Sequence, residues 1–387
     1  MNIILFDDDE WRNFRPLSLT KPFAELRIGV LSFRERWEKV ISGNFSYLTI
    51  NHLSDKYKIN ISNQNLFINP AYFPTKNLTE TIRELKEGES IWIGNRMIAG
   101  KLMYEDFEDR ENKEGRTQIQ GETIHLNRLW DLFTYNDYAI RFDFELLTQG
   151  RKSQPISATN GVKNPENIFL EEGATVEFAL LNASSGPVYI GKNAEIMEGS
   201  MVRGSFALGE SAKLNMGAKI YPGTSIGPYC KAGGELNNSI LMGYSNKGHD
   251  GFLGNSVIGE WCNLGADTNT SNLKNNYSEI RVWDYETRNY IDSGLQFCGL
   301  VMGDYSKSAI NTQFNTGTVV GVSANVFDAG FPPKFIPSFS WGGGKDSGKF
   351  ALEKSYEAIE KMMERRQKQL TDAEKKIISH IFQLTEY

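Results

Sequence analysis

Cysteine, long apolar runs and an excess of basic charge are all scarce in this chain of 387 residues. Its three cysteines, Cys230, Cys262 and Cys298, are too widely separated for a disulfide framework or a zinc site. No apolar stretch approaches the roughly 20 residues that a membrane-spanning helix needs. The formal net charge of −6 argues against general binding to nucleic acid.

The first residues also lack the features of a secretion signal. Residues 1–6 contain no basic segment and are followed at once by the acidic run Asp7–Glu10. Hydrophobic residues make up 40% of the chain and charged residues 23%, which is ordinary for a folded protein and excludes extensive disorder. We therefore expect a cytoplasmic enzyme with two or three domains.

Glycine is unevenly distributed and divides the chain into three regions. Most of the 36 glycines lie in the middle of the chain, and none follows Gly348. We expect a Rossmann-like α/β domain over residues 1–150 and a repetitive β domain over residues 151–330. A linker and a C-terminal helix are expected over residues 331–387.

The N-terminal region alternates short apolar runs with amphipathic stretches, as α/β domains do. Strands are expected at Ile3–Phe6, Tyr47–Ile50, Leu66–Ile68, Ile91–Ile93 and Met97–Ala99. Helices are expected at Leu78–Leu85, with Thr79 as a cap, and at residues 129–147. The charged residues 105–118 are expected to form a surface loop.

The middle region contains an internal repeat of six residues. Aliphatic side chains recur at Ile190, Ile196, Val202, Leu208, Leu214, Ile220 and Ile226, and a small residue follows most of them four positions later. A period of six fits neither a helix nor a flat strand, but it fits a β-coil that turns a corner every six residues. We therefore predict a β-helix with these aliphatic side chains inside.

The repeat loses its phase twice, at about residues 233–257 and 271–300, where we expect loops or shifted coils. Loops on a rigid scaffold are common positions for functional sites. The last region shows helical spacing of apolar residues from about Phe350 to Leu384, with a break expected near Thr371 and Asp372.

Three segments around the first break resemble one known family. They are Ser245–Gly254, Ile258–Ala266 and Asn269–Asn272. Together with the six-residue repeat, they resemble the acetyltransferase half of the bifunctional glucosamine-1-phosphate N-acetyltransferase/N-acetylglucosamine-1-phosphate uridyltransferase family. The resemblance implies a left-handed parallel β-helix, acetyl-CoA as the acyl donor, and an amino sugar or its phosphate as the acceptor.

The same resemblance assigns roles to individual residues. It implies that His249 is the catalytic base and that Asn263 and Asn272 contact the acceptor. Ala266 takes a position beside the thioester of acetyl-CoA. The backbone of later coils, around Ala309, Ile310 and Ser323, is expected to hold the rest of that molecule.

Other positions depart from the family pattern. Phe252 replaces the tyrosine of the family, which removes a hydroxyl that contacts the sugar phosphate. Asn237 and Asn238 stand in place of two lysines, and Lys219 or Tyr221 stands near a phosphate-binding arginine. These positions remain candidates for acceptor binding, and they favour an acceptor that differs from the family's sugar-1-phosphate.

The chemistry of His249 supports its assignment independently. An amine attacks a thioester only when it is neutral, so the ammonium group of an amino sugar must lose a proton. Histidine is the side chain whose ordinary pKa suits proton transfer near neutral pH. His249 lies in the glycine-rich segment Lys247–Gly251, which is suited to placing an imidazole at an open cleft. The alternative interpretation is a solvated loop histidine without a catalytic role.

The segment Arg15–Pro22 resembles the Arg-x-x-Pro-Leu-Thr…Lys-Pro segment of sugar-nucleotide pyrophosphorylases. Arg12, Arg15 and Lys21 are therefore candidates for phosphate binding. The acidic run Asp7–Glu10 stands where those enzymes have a glycine-rich phosphate loop, so nucleotide binding there is expected to need Mg²⁺. The alternative for the three cations is pairing with the acidic turn.

Three functional hypotheses follow from the sequence. The first is an acetyl-CoA-dependent N-acetyltransferase for an amino sugar, which acts in the synthesis of sugar nucleotides for the cell envelope. The second adds sugar-1-phosphate nucleotidyltransferase activity in the first domain. The third is a solenoid that binds sugar nucleotides without catalysis. The resemblance also implies a homotrimer with sites between neighbouring coils.

Overall fold

The computed structural model describes residues 1–112, 114–119, 121, 123–344 and 348–384. The chain forms two compact units, and each is described by itself. The first comprises Met1–Phe14, Thr20–Leu26 and Leu31–Arg128. The second comprises Arg15–Leu19, Arg27–Val30 and Leu129–Tyr387.

The first unit is built on a mixed six-stranded sheet. Its strands are β1 (Asn2–Phe6), β2 (Asn44–Leu48), β3 (Asn65–Ile68), β4 (Ser90–Ile93), β5 (Arg96–Leu102) and β6 (Arg116–Gln118). The order is β2-β1-β3-β5-β4-β6, in which β1 runs parallel to both neighbours and β5 antiparallel to both of its own. The last four residues of β1 are buried, as expected for a central parallel strand covered on both faces.

The helices of the first unit are α1 (Phe33–Val40), α2 (Asn51–Ser54), α3 (Lys76–Glu84) and α4 (Tyr104–Glu108). Three details of the sequence prediction are wrong. Residues 105–118 include most of α4 and all of β6, and the second strand ends at Leu48 rather than Ile50. The cap of α3 is Thr75, whose hydroxyl accepts the N–H of Leu78, whereas Thr79 is inside the helix.

The second unit begins with α5 (Asp131–Thr134) and α6 (Asn136–Thr148), and a parallel β-solenoid follows them. Face 1 consists of β7 (Gly161–Lys163), β10 (Leu180–Asn182), β13 (Met201–Arg203), β16 (Lys219–Ile220), β19 (Glu235–Asn237) and β22 (Phe252–Gly254). Face 2 consists of β8 (Ile168–Leu170), β11 (Val188–Ile190), β14 (Phe206–Leu208), β17 (Thr224–Ile226), β20 (Ile240–Gly243), β23 (Val257–Glu260), β28 (Leu300–Met302), β31 (Thr318–Val320) and β33 (Phe335–Ile336).

Face 3 is the longest sheet of the solenoid and carries the candidate site. It consists of β9 (Thr175–Val176), β12 (Glu195–Ile196), β15 (Lys213–Leu214), β18 (Lys231–Ala232), β21 (Asn246–Lys247), β24 (Asn263–Leu264), β29 (Lys307–Ser308), β32 (Asn325–Val326), β34 (Ser340–Gly342) and β35 (Gly348–Lys349). A further parallel pair is β25 (Asn269–Thr270) with β30 (Gln313–Phe314).

The interior of the solenoid confirms the six-residue repeat. All seven predicted aliphatic side chains are at most 3% exposed, and they belong to one continuous apolar core. Gly209 and Gly227 follow two of these aliphatic residues directly, at points where neighbouring coils touch. A Cβ atom on Gly227 would lie 1.9 Å from the carbonyl oxygen of Met242, so only glycine fits there.

The corners between faces 2 and 3 place one residue per coil in the left-handed backbone region. These residues include Ser211, Tyr229, Tyr244, Trp261 and Tyr305. The left-handed conformation costs roughly 1–2 kcal/mol for a residue with a side chain. Tyr229, Tyr244 and Trp261 offset part of this cost because their rings stack on one another, with centroids 5.0 and 4.2 Å apart.

Both predicted breaks in the repeat are visible in the structure. At the first break, Ile226 pairs with Leu241 in the next coil, only 15 residues later, whereas Leu208 pairs with Ile226, 18 residues later. This coil is therefore shortened rather than replaced by a loop. At the second break, the chain leaves the solenoid as an antiparallel hairpin of β26 (Arg281–Asp284) and β27 (Asn289–Asp292).

The C-terminal region contains two helices, α7 (Leu352–Glu364) and α8 (Asp372–Leu384), with a break where the sequence predicted one. Ile359 and Met363 of α7 are buried, and the hydroxyl of Ser355 lies 3.1 Å from that of Ser323 on the solenoid. Within the described residues, no helix has the length and apolar character required to cross a membrane.

Candidate functional site

A cleft of about 730 Å³ lies along face 3 of the solenoid. Four residues predicted from the sequence line it, namely His249, Asn263, Ala266 and Ile310. The remaining lining residues are Asn215, Lys231, Tyr244, Asn246, Gly248, Trp261, Leu264, Gly265, Met362, Arg365 and Arg366. The structure thus brings the predicted base, one predicted acceptor contact and two predicted acetyl-CoA contacts to one place.

The floor of the cleft is a ladder of polar side chains on three successive strands. Lys231, Asn246 and Asn263 are paired in register across β18, β21 and β24. The residue that follows each of them is directed into the coil and buried. Because successive side chains of a strand point to opposite faces, Lys231, Asn246 and Asn263 are directed to the outside. The amide oxygen of Asn246 is buried and has no hydrogen-bond partner among the described residues. Most buried polar atoms in proteins have a hydrogen-bond partner, so this oxygen is an exception.

His249 lies at the corner between β21 and β22, where the chain passes from face 3 to face 1. The residue is exposed, and the short turn Gly248–Asp250 carries it. The carbonyl oxygen of Gly248 accepts the side-chain amide of Asn215, at 2.7 Å. The imidazole therefore projects from an anchored backbone into solvent at the cleft, which is a suitable position for a general base.

The charge of the cleft has one sign. Lys231, Arg365 and Arg366 line it, and no aspartate or glutamate is among the lining residues. Arg366 donates to the carbonyl oxygen of Tyr229 at 3.2 Å, and no ion pair to any of the three cations is found among the described residues. The potential in a cleft lined by cations alone favours anionic ligands such as phosphates.

The C-terminal helix α7 supplies one wall of this cleft. Met362 lies in its last turn, and Arg365 and Arg366 follow directly after it. Tyr244 and Trp261, from the stacked aromatic corner to which Arg366 bonds through Tyr229, also line the cleft. Burial raises the pKa of the Tyr244 hydroxyl, so this group stays protonated at neutral pH. The wall and the floor are separated by about a hundred residues in sequence.

A second group of predicted residues surrounds Gly254 on face 1. Asn237 is paired in register with Gly254, and the ring of Phe252 and the side-chain amide of Asn272 approach the position that a Cβ of Gly254 would occupy, at 2.5 and 2.6 Å. The Asn272 amide donates to the side-chain oxygen of Asn255 at 2.8 Å. These residues flank the His249 corner from face 1, but they do not line the cleft.

The remaining predicted residues of the solenoid lie elsewhere. Lys219 and Tyr221 border a groove of about 540 Å³ on face 1. The carbonyl oxygen of Ala309 accepts the hydroxyls of Thr268 and Thr312. The hydroxyl of Ser323 is buried against Ser355 of α7, so it contributes to anchoring that helix.

A smaller crevice of about 370 Å³ lies in the first unit, after the carboxyl end of β1. The acidic run predicted from the sequence lines it, but its carboxylates have internal partners. Asp7 accepts the N–H of Phe23 at 2.9 Å and the hydroxyl of Thr49 at 2.6 Å. Burial raises the pKa of Asp7 to about 7 and also raises that of Asp8.

The other two acidic residues of this run are paired with bases. Glu10 lies 2.5 Å from Arg96 and 2.9 Å from His125, and Asp9 lies 3.9 Å from Arg12. Within the described part of the chain, no group of three or more His, Cys, Asp or Glu side chains is placed to hold a metal ion. A Mg²⁺ ion in this crevice would therefore depend on phosphate oxygens for its remaining ligands.

The three cations predicted to bind phosphate lie in different surroundings. Arg12 lines the crevice of the first unit, and Lys21 is a buried residue of that unit. Arg15 belongs to the second unit, where it pairs with Glu286 and lies over the ring of Tyr285. Both partners are in the connection between β26 and β27, so Arg15 fastens its segment to the hairpin.

Comparison with known proteins finds one matching family model and several similar enzymes. Residues 3–152 match the family model described as sugar nucleotidyl transferase. A bifunctional sugar-1-phosphate nucleotidylyltransferase/acetyltransferase of Sulfurisphaera tokodaii is 28% identical over 144 residues, which is 37% of this chain and 35% of that protein. The resemblance stated from the sequence is confirmed.

Two archaeal proteins called bifunctional protein GlmU are similar as well. The one from Methanocaldococcus jannaschii is 34% identical over 87 residues, which is 22% of this chain and 21% of that protein. The one from Methanococcus vannielii is 25% identical over 214 residues, which is 53% of this chain and 42% of that protein. The chain thus spans about a fifth to two fifths of the curated relatives it matches.

Sequence reasoning missed several lining residues of the cleft. Lys231 and Asn246 occupy the same outward position as Asn263 in earlier coils, so the coil register would have identified them once Asn263 was chosen. Arg365 and Arg366 had no such signal, because their position depends on how α7 packs against distant coils. Lys247 was noticed only as part of a glycine-rich segment, although it occupies an inward position of the repeat.

Proposed function

We propose that the cleft on face 3 is the site of an acetyl-CoA-dependent N-acetyltransferase whose acceptor is an amino sugar or its phosphate. The observation that carries this proposal is the position of His249. Its exposed imidazole borders a cleft that contains cations and no carboxylate. The activities named for the relatives support the same assignment.

In the proposed reaction, His249 acts as the general base. The neutral imidazole accepts a proton from the amino group of the acceptor, and the nitrogen lone pair attacks the carbonyl carbon of the thioester. A C–N bond forms, the C–S bond breaks, and the sulfur leaves as the thiolate of coenzyme A, which is protonated from solvent. The products are the N-acetyl sugar and free coenzyme A. General-base catalysis of this type contributes about 10²–10⁴-fold to a rate.

The lining residues can be divided between the two substrates. Ala266, Ile310 and the neighbouring Ala309 are proposed to border acetyl-CoA, and the phosphates of this molecule suit the cations of the cleft. Asn246 and Asn263 offer amide groups to the hydroxyl and amino groups of the acceptor. Ser323 is assigned an indirect role, since it anchors the helix that carries the two arginines.

The face 1 residues are proposed to contact the part of the acceptor that extends beyond the His249 corner. Phe252, Asn237 and Asn272 surround Gly254 there, and Lys219 and Tyr221 lie further along the face. If the acceptor is a sugar-1-phosphate, Phe252→Tyr should lower its KM, because the variant adds a hydroxyl near the phosphate. An unchanged KM would indicate an acceptor without that phosphate.

The test of the proposal is an assay of thiol release. Acetyl-CoA is mixed with the purified chain and with a panel of amino sugars and amino-sugar phosphates, and free coenzyme A is measured with a thiol reagent. We expect release that depends on at least one acceptor and on His249. Absence of acceptor-dependent release across the panel would refute the proposal and favour a binding role for the solenoid.

A second function, sugar-1-phosphate nucleotidyl transfer, is proposed for the first unit because of the family match over residues 3–152. The crevice after β1 is the corresponding place, since ligands of α/β sheets bind at the carboxyl ends of parallel strands. Calorimetry with UTP or dTTP, with and without Mg²⁺, tests this. Mg²⁺-dependent binding would support the activity, and no binding under either condition would refute it.

We also propose that the chain assembles as a homotrimer. Face 1 carries exposed apolar side chains, including Leu180, Met201 and Tyr221, which are 56%, 42% and 43% exposed. Association with another copy would bury this surface. Light scattering at micromolar concentration should give three times the mass of the chain, and a monomer mass would contradict the proposal.

A further inference from the structure

Lys247 is a lysine in the interior of the solenoid. Its residue exposure is 1%, and it occupies an inward position that apolar or small residues fill in other coils of face 3. In the coil before, the position belongs to Ala232, with which Lys247 is paired in register, and in the coil after it belongs to Leu264. A buried cation at such a position is costly unless its hydrogen bonds are made.

The ammonium group of Lys247 makes three hydrogen bonds, and all go to main-chain carbonyl oxygens. It donates to His249 at 2.5 Å, to Asp250 at 3.0 Å and to Gly233 at 3.3 Å. A lysine ammonium has three donors, so its capacity is filled. Two of the bonds hold the turn that carries His249, and the third connects this turn to the preceding coil.

The same turn has a second anchor. The side-chain amide of Asn215 binds the carbonyl oxygen of Gly248 at 2.7 Å. All three carbonyl groups of Gly248–Asp250 are therefore held by side chains rather than by a strand ladder. Because a turn is the least regular part of a coil, these bonds determine where the Cα atom of His249 lies.

We propose that Lys247 is a positioning residue that holds the His249 turn from inside the coil and thereby sets the distance between the imidazole and the acceptor amine. This inference rests on the proposed role of His249 as base. Lys247 itself does not reach the cleft, since it is not among the lining residues and its head group faces the backbone.

The state of Lys247 should then appear in the pH dependence of catalysis. Burial lowers the pKa of Lys247 to about 8, and the negative charges of Asp250 and Asp267 partly oppose this shift. Above about pH 8, Lys247 becomes neutral, keeps only two N–H donors and releases one carbonyl group. We expect the turn to loosen and kcat to fall over this alkaline range.

The variant Lys247→Met tests the proposal. Methionine fills the same inward position of the coil with an apolar side chain and removes every N–H donor of the ammonium group. We expect kcat to fall by about tenfold to a hundredfold, as for a misplaced catalytic group, with KM for acetyl-CoA unchanged. The alkaline decrease of kcat should also disappear. Leu214→Met, at the corresponding inward position on β15, controls for a change of packing in the interior and should behave like the unmodified chain.

Hydrogen exchange measured by mass spectrometry gives a readout that does not depend on acetyl transfer. The amide of Glu235 donates to the carbonyl oxygen of Gly251 at 3.2 Å, and that of Phe252 donates to the side-chain oxygen of Asn269 at 2.8 Å, so these two amides report on the end of the turn. They should exchange faster in Lys247→Met than in Leu214→Met, whereas the other coils should be unaffected. In the unmodified chain, these two amides should lose protection relative to other coils above about pH 8.

The possible outcomes separate the two proposals. We refer to the three hydrogen bonds by which Lys247 holds the turn as the clamp. Faster exchange at the turn in a chain without acetyltransferase activity would refute the proposed function but support the clamp. Unchanged exchange and unchanged kcat in Lys247→Met would overturn the clamp. If the variant fails to fold, an alkaline loss of protection in the unmodified chain still supports the clamp, and its absence still overturns it.

Discussion

The crevice of the first unit and the cleft of the second use their polar side chains in opposite ways. In the crevice, Asp7, Asp8 and Glu10 accept hydrogen bonds or ion pairs from neighbouring protein groups. In the cleft, the imidazole of His249 is exposed and the amide oxygen of Asn246 has no partner among the described residues. These carboxylates of the crevice are thus paired with protein groups, whereas the cleft presents an exposed imidazole and a buried amide oxygen without a partner among the described residues.

The charged side chains that line the crevice and the cleft also differ. Five carboxylates and three guanidinium groups line the crevice, whereas the charged residues that line the cleft are all cations. A lining of one sign attracts ligands of the other sign. We therefore expect the solenoid cleft to bind anions more strongly than the crevice of the first unit.

The largest effect is expected from His249→Ala. Removal of the general base should lower kcat by about 10²–10⁴-fold. The KM for acetyl-CoA should change little, because the imidazole is assigned to the acceptor amine. Thiol release under saturating substrates measures the first quantity, and a titration of acetyl-CoA measures the second. The matched control is His380→Ala, on α8 and outside the cleft lining. Full activity of the His249 variant would show that the cleft holds no base at this corner.

Removal of the two arginines should have the next largest effect. Arg365→Ala combined with Arg366→Ala should weaken binding of coenzyme A by about tenfold or more, because hydrogen bonds to charged groups contribute about 1.5–3 kcal/mol each. Calorimetry at low and high salt measures the loss, and the salt dependence should shrink in the variant. Lys361→Ala, on the exposed side of α7, is the control. If the double arginine variant and Lys361→Ala bind coenzyme A with equal affinity, the two arginines do not attract its phosphates, and the proposed difference in anion binding between the two regions is wrong.

A smaller effect is expected from Asn246→Ala. The KM of the acceptor should rise by about fivefold, which corresponds to the net free energy of one hydrogen bond, about 1 kcal/mol. The midpoint of thermal unfolding should not fall, because no protein partner loses a bond. Asn325→Ala is a matched control, since its amide nitrogen is also buried and has no partner within the described part of the chain, but it lies outside the cleft lining. A fall in unfolding temperature with an unchanged KM would assign Asn246 to the fold instead.

The last prediction concerns stability rather than catalysis, namely the pH dependence of folding in the first unit. The pKa of Asp7 is raised to about 7 in the folded chain, so this group binds more protons when folded than when unfolded between about pH 4 and 7. Its contribution to stability is therefore greatest below about pH 4 and decreases as pH rises through 7. Asp7→Asn should flatten this dependence in urea unfolding, and Asp9→Asn, a 99% exposed side chain, should not. Identical profiles for Asp7→Asn and the unmodified chain would contradict the effect of burial on Asp7.

The parts of this structure that could be predicted are those with local causes. The six-residue period identified the interior of the coils, because most inward positions are apolar side chains that are buried together. The break between α7 and α8 was also visible in the sequence. The cleft depended on two things that a local pattern does not contain. One is the shortened coil, which moves Lys247 to an inward position, and the other is the packing of α7 beside face 3.

His249 and Asn263 were found because they belong to recognisable segments, whereas Asn246 became visible only through its pairing with Asn263. Arg15 illustrates the opposite case. Its motif suggested phosphate binding, but the side chain is engaged with Glu286 and Tyr285 on a hairpin about 270 residues further along the chain. A motif identifies residue types at a given spacing, and only the tertiary fold determines their partners.

The contribution of α7 to the cleft wall has a consequence for the order of events during synthesis of the chain. Translation proceeds from the N-terminus at about 5–20 residues per second, and repeat structures can fold as they emerge. The floor at Lys231–Asn263 therefore leaves the ribosome several seconds before Arg365 and Arg366. During that interval the nascent solenoid carries His249 and its polar ladder without the two arginines. Two of the three cations that line the cleft are therefore absent until the residues that follow α7 have been made.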